Sequence, residues 1–169
     1  MRMWFQAIFK TNNKIKEKVN HHFILIEEVP LDVVGQEIIL WGEASWWPKK
    51  SLMKFTRLTK GEISVGTRYD QKVLLPFAPK WNVEITKIIP GREIERTFLN
   101  GMFQGKESVQ LEERYNGIKV SYSMHYQIQG WFNNMMWHLV FQKLHDKNIN
   151  MILSALQDYI LAKQREGQE

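Results

Sequence analysis

Residues 81–129 read WNVEITKIIPGREIERTFLNGMFQGKESVQLEERYNGIKVSYSMHYQIQ, and their alternation decides the fold. Three two-residue turn signals punctuate the stretch: Pro90-Gly91, Asn100-Gly101 and Asn116-Gly117. Asn-Gly suits a type I′ hairpin because both central positions need positive φ. Centring a turn on each pair gives three registers. The first sets Val83 opposite Phe98, Ile85 opposite Arg96 and Lys87 opposite Ile94. The second sets Phe98 opposite Phe103, Arg96 opposite Gly105 and Ile94 opposite Glu107. The third sets Leu111 opposite Tyr122, Val109 opposite Met124 and Glu107 opposite Tyr126. The registers agree about faces. Trp81, Val83, Ile85, Phe98, Phe103, Val109, Leu111, Val120, Tyr122, Met124 and Tyr126 share one face, while Glu84, Thr86, Glu95, Thr97, Lys106, Ser108, Gln110, Lys119, Ser121 and Ser123 share the other. A one-residue slip would exchange the faces, so this agreement predicts an antiparallel sheet with one apolar and one wet side.

The apolar side needs a cover, and residues 132–164 supply one. At 100° per residue, Trp137, Phe141, Leu144, Asn148, Met151, Ile152, Ala155 and Tyr159 form one stripe of a long helix. About 30 residues span roughly 45 Å, enough to cross a twisted sheet. Upstream, His22–Glu27 (HFILIE) reads as a buried strand, Pro30 sits where a first helical turn begins, and Leu31 to about Leu40 forms a short helix. Trp41–Pro48 reads as a second short turn or helix, stopped by Pro48. Strand, two short helices, a run of strands and a long helix make an α+β pattern.

Composition narrows the function. The chain has 169 residues, enough for one domain with a real core. It has no cysteine, which excludes disulfides, thiolate metal sites and thiol nucleophiles, and points to a reducing, cytoplasmic setting. The net charge is +5, but residues 1–20 carry +4 of it. A nearly neutral body does not suit nucleic acid, so no nucleic-acid partner is expected. The basic segment has Trp4, Phe5, Ile8, Ile15 and Val19 near helical spacing. It reads either as a helix or tail packed on the domain or as a peripheral membrane contact. Its apolar run is too short for a signal or membrane-spanning segment.

Three charges fall on the apolar phase of the sheet: Lys87, Arg96 and Glu107. Buried charges must be paired or hydrogen-bonded. Two readings stay open, an ion pair between Arg96 and Glu107 or a polar patch gripping the head of an apolar ligand. Glu107, with Tyr126 beside it, is the candidate acid/base. Asn148 lies mid-stripe on the helix, as an amide bonded to the sheet or a ligand contact. His138 and His145 are two turns apart and His21 and His22 are adjacent, so no histidine metal site is expected. No phosphate loop, dinucleotide fingerprint or nucleophile elbow is present, and no cofactor is expected. The many tryptophans favour a large apolar cavity.

The segment Glu28-Val29-Pro30-Leu31-Asp32-Val33-Val34, the Trp46-Trp47-Pro48 stop, the strand and Val-Gly of residues 52–66, the meander and the long helix together resemble the START-like, or Bet v 1-like (SRPBCC), superfamily, in particular its polyketide cyclase/dehydrase and lipid-transport group. The resemblance covers roughly residues 22–164. It implies a helix-grip fold, a curved antiparallel sheet around a long C-terminal helix with an apolar cavity between them. It divides the chain into a basic arm (1–20) and a ligand-binding domain (21–169). It implies a carrier or sensor of a lipid, polyketide or aromatic compound. The expected ligand-binding residues are Lys87, Arg96, Phe98, Phe103, Glu107, Met124, Tyr126, Phe141, Asn148 and Ile152. Two alternatives stand beside it: a cyclase, dehydratase or hydrolase using Glu107, and a docking module using the basic arm.

Overall fold

The computed structural model describes residues 17–76 and 78–166; the expected arm, apart from Glu17–Asn20, lies outside them. Seven antiparallel strands form one sheet: β1 (Lys18–Glu27), β2 (Met53–Arg57), β3 (Arg68–Val73), β4 (Lys80–Ile89), β5 (Glu93–Phe98), β6 (Phe103–Arg114) and β7 (Gly117–Ile128). Their spatial order is β1-β7-β6-β5-β4-β3-β2. Helix α1 (Leu31–Ile38) follows β1. Helix α2 (Trp131–Met136), a π turn (Trp137–Phe141) and helix α3 (Gln142–Glu166) make the long C-terminal cover. The apolar side of the sheet is the buried one, with Val83, Ile85, Ile94, Val109, Val120 and Met124 all nearly inaccessible.

Four expectations need correction. First, the strand begins at Lys18, four residues before the apolar run at His22. Second, Trp41–Pro48 is a chain of turns, not a helix. Its Trp46 indole donates to the buried Glu37 carboxylate at 3.0 Å, and Lys163 reaches the same carboxylate at 3.2 Å, tying α1 to α3. Third, two hairpin registers are displaced by two residues. Arg96 faces Glu107 directly, and Leu111 faces Val120. A two-residue slip leaves every side chain on its expected face.

Fourth, Lys87 does not point inward. A β-bulge after Ile85 inserts one residue, so Thr86 and Lys87 both lie on the wet face and Lys87 sits opposite Glu95. An odd slip reverses the face where an even one does not. The Lys87 ammonium pairs with Glu93 at 2.6 Å, and Gln110 donates to the same carboxylate at 3.0 Å. Burial raises the Glu93 pKa, but these two bonds outweigh it and hold the carboxyl below its ordinary value. A carboxyl lowered by folding adds stability above its unfolded pKa, and that stability is lost as pH falls through the folded pKa. Lys87→Ala is therefore expected to cost less than about 1 kcal/mol at neutral pH and to flatten the loss of stability below pH ~4.5. Urea midpoints from pH 3 to 7 measure both; an unchanged acid limb refutes this pairing.

The C-terminal helix carries a parallel lesson. Gln142 N–H donates to the Trp137 carbonyl, five residues back. This π turn adds one residue to the helical count. Beyond it the buried positions are His145, Asn148, Ile149, Ile152, Leu153, Leu156 and Ile160. Six of them stand one residue after a member of the expected stripe (Leu144, Asn148, Met151, Ile152, Ala155 and Tyr159). One extra residue rotates the face by about 100°. Helix α1 is held close to the β4–β5 turn: a Cβ on Gly35 would lie 2.6 Å from Gly91 Cα. Only glycine permits that approach.

Candidate functional site

Aromatic rings fill most of the space between sheet and helix. Phe103 packs against Trp81, Tyr126 and Trp137 with ring centres 5.0, 5.7 and 4.9 Å away. Trp41 stacks on Tyr122 at 6.1 Å, and Trp137 meets the His145 ring at 5.5 Å. The remaining cavity measures about 20 Å³, room for one water. Its wall includes Leu52, Met53, Trp81, Trp137, Phe141, Leu144, His145 and Asn148. The large cavity expected from the tryptophan count is therefore not open in this structure, because the same tryptophans occupy it.

A wider mouth of about 350 Å³ adjoins it, lined by Pro76, Pro79, Met102, Phe132, Asn133, Met136 and Phe141. Pro79 and Phe141 belong to both walls. The π turn ends at Phe141. A separate open cleft of about 480 Å³ lies between α1 and the β4–β5 turn, lined by Ile38, Ile39, Ile63, Ile88 and Ile94 among others.

Of the ten residues expected to contact a ligand, Phe141 and Asn148 line the inner cavity. Phe98, Phe103, Met124, Tyr126 and Ile152 are packed in the core. Lys87 is on the other side of the sheet, as described above. Arg96 and Glu107 form a buried polar layer, 1% and 2% exposed. Arg96 donates to the Trp41 carbonyl at 2.8 Å, approaches Glu107 Oε1 at 3.6 Å and is flanked by the Phe55 and Tyr69 rings. Glu107 Oε1 accepts from Gln71 at 2.8 Å and Oε2 accepts from Tyr122 at 3.0 Å. The Trp81 indole donates in turn to Gln71.

This layer replaces the expected partnership of Glu107 with Tyr126. Tyr126 accepts from the Trp137 indole at 2.9 Å instead, and Met124 occupies the position opposite Glu107. Tyr122 takes the role at Glu107, four residues before the one named by the expected register. Burial and the adjacent Glu107 charge push the Tyr122 phenol well above its ordinary pKa, which keeps it a donor. Gln71, Tyr122 and His145 were not singled out as site residues. Tyr122 lies on the expected apolar face, and His145 lies one residue beyond Leu144 of the expected helical stripe, after the π turn.

Two polar side chains of the cavity wall retain unused capacity. Asn148 Oδ1 accepts from Leu52 N–H at 2.7 Å, while its Nδ2 has no partner among the described residues. His145 Nε2 lies 3.4 Å from the Tyr122 oxygen, and its Nδ1 has no hydrogen-bond partner there. Beyond His145 lies Asp146, whose carboxyl is held down to about 2 by the His145 ring, against the opposing effect of burial, with help from Asn20 and His22.

No protein-family model matches the chain, and no curated protein sequence matches it. Solved structures do. Norcoclaurine synthase from Thalictrum flavum, in complex with dopamine and hydroxybenzaldehyde, aligns over 96% of this chain and 97% of its own at 12% identity, TM-score 0.66. TTHA0849 from Thermus thermophilus aligns over 88% of this chain and 99% of its own at 16% identity, TM-score 0.63. The Zhui aromatase/cyclase from Streptomyces sp. R1128 aligns over 86% and 94% at 13% identity, TM-score 0.62. The neighbours are Bet v 1-like, SRPBCC structures, and the chain shares their curled antiparallel sheet closed by a C-terminal helix. Among the described residues, no helix is long and apolar enough to cross a membrane.

Proposed function

We propose that this helix-grip chain binds an apolar small molecule bearing a hydrogen-bond acceptor, as a carrier or sensor. The observation that carries this reading is Asn148 Nδ2, without a partner among the described residues, on a wall that is apolar apart from Asn148 and His145 and next to a wider opening. A buried donor without an acceptor is costly, and a carbonyl or hydroxyl oxygen of a ligand would satisfy it. Ligand pockets are mostly apolar with a few placed polar groups, and they measure roughly 300–1,000 Å³. The mouth is of that size and the inner cavity is not. The ligand enters at the mouth, displaces Phe141 and lies against Trp81, Trp137 and Leu144. The π turn is the place where the helix can yield.

Fold neighbours whose names include an aromatase/cyclase and a synthase complexed with hydroxybenzaldehyde support an aromatic or polyketide-like ligand. The non-catalytic reading is preferred to a cyclase using Glu107. Both oxygens of that carboxylate are engaged, and it stands behind the cavity wall.

Titrating the protein with aryl aldehydes, polyphenols and fatty acids, read by tryptophan fluorescence and native mass spectrometry, tests this. Saturable binding to at least one class is expected. Phe141→Ala should bind faster. Asn148→Asp keeps the acceptor for Leu52 but loses the donor, and should weaken acceptor-bearing ligands about ten-fold. Absence of saturable binding across all classes, or indifference to both substitutions, rejects the proposal.

A further inference from the structure

A second constellation lies on the outer side of His145. His22 from β1 and His145 and Asp146 from α3 converge with one ligand atom each, all within 4.8 Å of one another. His22 Nε2 is 3.2 Å from Asp146 Oδ1, and His145 Nδ1 is 3.6 Å from the same oxygen. Sequence spacing could not reveal the group, because its two histidines are joined by the fold rather than by a helical repeat. We propose that these three residues bind a single divalent transition-metal ion, with zinc the best fit.

The distances carry the assignment. A tetrahedral zinc ion with bonds of about 2.0–2.1 Å separates its ligand atoms by roughly 3.3–3.4 Å. The two edges meeting at Asp146 Oδ1 bracket that length. The remaining nitrogen–nitrogen edge is no longer than 4.8 Å, and ion binding would draw it in. Two nitrogens and a carboxylate oxygen form a donor set suited to zinc and related ions, and unsuited to magnesium or calcium.

The surrounding polar groups accommodate the tautomer that coordination needs at each histidine. Tyr122 donates its hydroxyl proton to Glu107, so its oxygen is free to accept from His145 Nε2–H. In the metal-free protein His145 Nδ1, 3.6 Å from Asp146 Oδ1, can instead carry the proton that favours the Asp146 carboxylate, and an ion would displace that proton. Among the described residues that nitrogen makes no hydrogen bond, in a side chain 8% exposed, and its nearest partner is Asp146 at 3.6 Å; an ion between them would engage both. Asn150 Oδ1 lies 3.0 Å from His22 Nδ1; a proton there leaves Nε2 free for the ion. Such outer partners normally fix the orientation of ligating histidines. Asn20, 8% exposed, donates to Asp146 Oδ1 at 2.6 Å and has its own Oδ1 unpartnered beside the group. Asp146 is itself about one-third exposed, giving the ion a route from solvent and leaving a fourth position for water. Three protein ligands and one open position is the arrangement of a reactive or regulatory site rather than a closed structural one.

The ion would also bind strand to helix and fix one wall of the inner cavity, since His145 lines it. The test uses the untagged full chain, washed with chelator, and titrated with zinc sulfate by calorimetry in competition with a chromophoric chelator. One ion per chain is expected, together with a melting temperature that rises with zinc concentration. Cobalt(II) in place of zinc should give the intense visible absorption of a four-coordinate centre. His22→Ala and Asp146→Asn should each weaken binding at least ten-fold and abolish the cobalt spectrum, with folding confirmed by circular dichroism. His21→Ala and His138→Ala, elsewhere on the surface, should leave affinity unchanged. The proposal is overturned if the native chain binds no zinc at millimolar concentration. It is equally overturned if His22→Ala and Asp146→Asn bind as tightly as the native chain, which would assign the ion to scattered surface histidines.

Discussion

Arg96→Met is expected to destabilise the protein by about 3–5 kcal/mol, because it leaves the Glu107 carboxylate buried without its cation. Glu107 is 2% exposed, and its other partners, Gln71 and Tyr122, are neutral donors that cannot balance the charge. The second half of the experiment separates charge from packing. Arg96→Met combined with Glu107→Gln removes both charges while retaining a side-chain oxygen for Gln71 or Tyr122. Replacing a buried ion pair by neutral groups is often far less harmful than breaking it. The double variant should therefore recover at least half of the loss in urea melts. A single-variant loss below about 1 kcal/mol, or a double variant no better than the single, would show that the pair does not organise this layer.

Trp137→Ala carries the other large effect. Trp137 is 2% exposed, packs on Phe103, Tyr126 and His145, and donates to the Tyr126 oxygen. Truncating a buried tryptophan costs about 3–5 kcal/mol. It should also join the deleted volume to the existing cavity. Apolar cavities of about 150 Å³ stay dry and take up benzene-sized molecules. Benzene and toluene, which lack the acceptor the proposed ligand needs, should at millimolar concentration raise the melting temperature of Trp137→Ala well beyond any shift in the native chain. Equal shifts in both would place the binding elsewhere.

Much of the fold was legible because β side chains repeat every two residues. The Asn100-Gly101 and Asn116-Gly117 registers were displaced, yet both by two, so the inward set from Ile94 to Tyr126 survived. The two errors of consequence were odd ones. A single inserted residue at the β4 bulge turned Lys87 outward, and a single extra residue in the π turn moved the buried helical face from Leu144 to His145. Residue propensities weigh helix against strand and carry no signal for a single inserted residue within either. The candidate site suffered accordingly. Arg96, Glu107, Phe141 and Asn148 were visible from pattern alone. Tyr122 was assigned to the right face and the wrong neighbour, and His145 with its partner His22 required the fold.

The sheet order has a temporal consequence. Among the described residues strand β1 pairs with β7 alone, and its paired residues are separated by between 90 (Glu27 and Gly117) and 108 (Lys18 and Tyr126) positions along the chain. During synthesis β1 must wait for β7, the last of the described strands to be made. Until then Ile24, Leu25 and Ile26 are without their strand partners, and closing so long a loop costs entropy before any contact repays it. The two edges of this pairing, far apart along the chain, thus complete each other late.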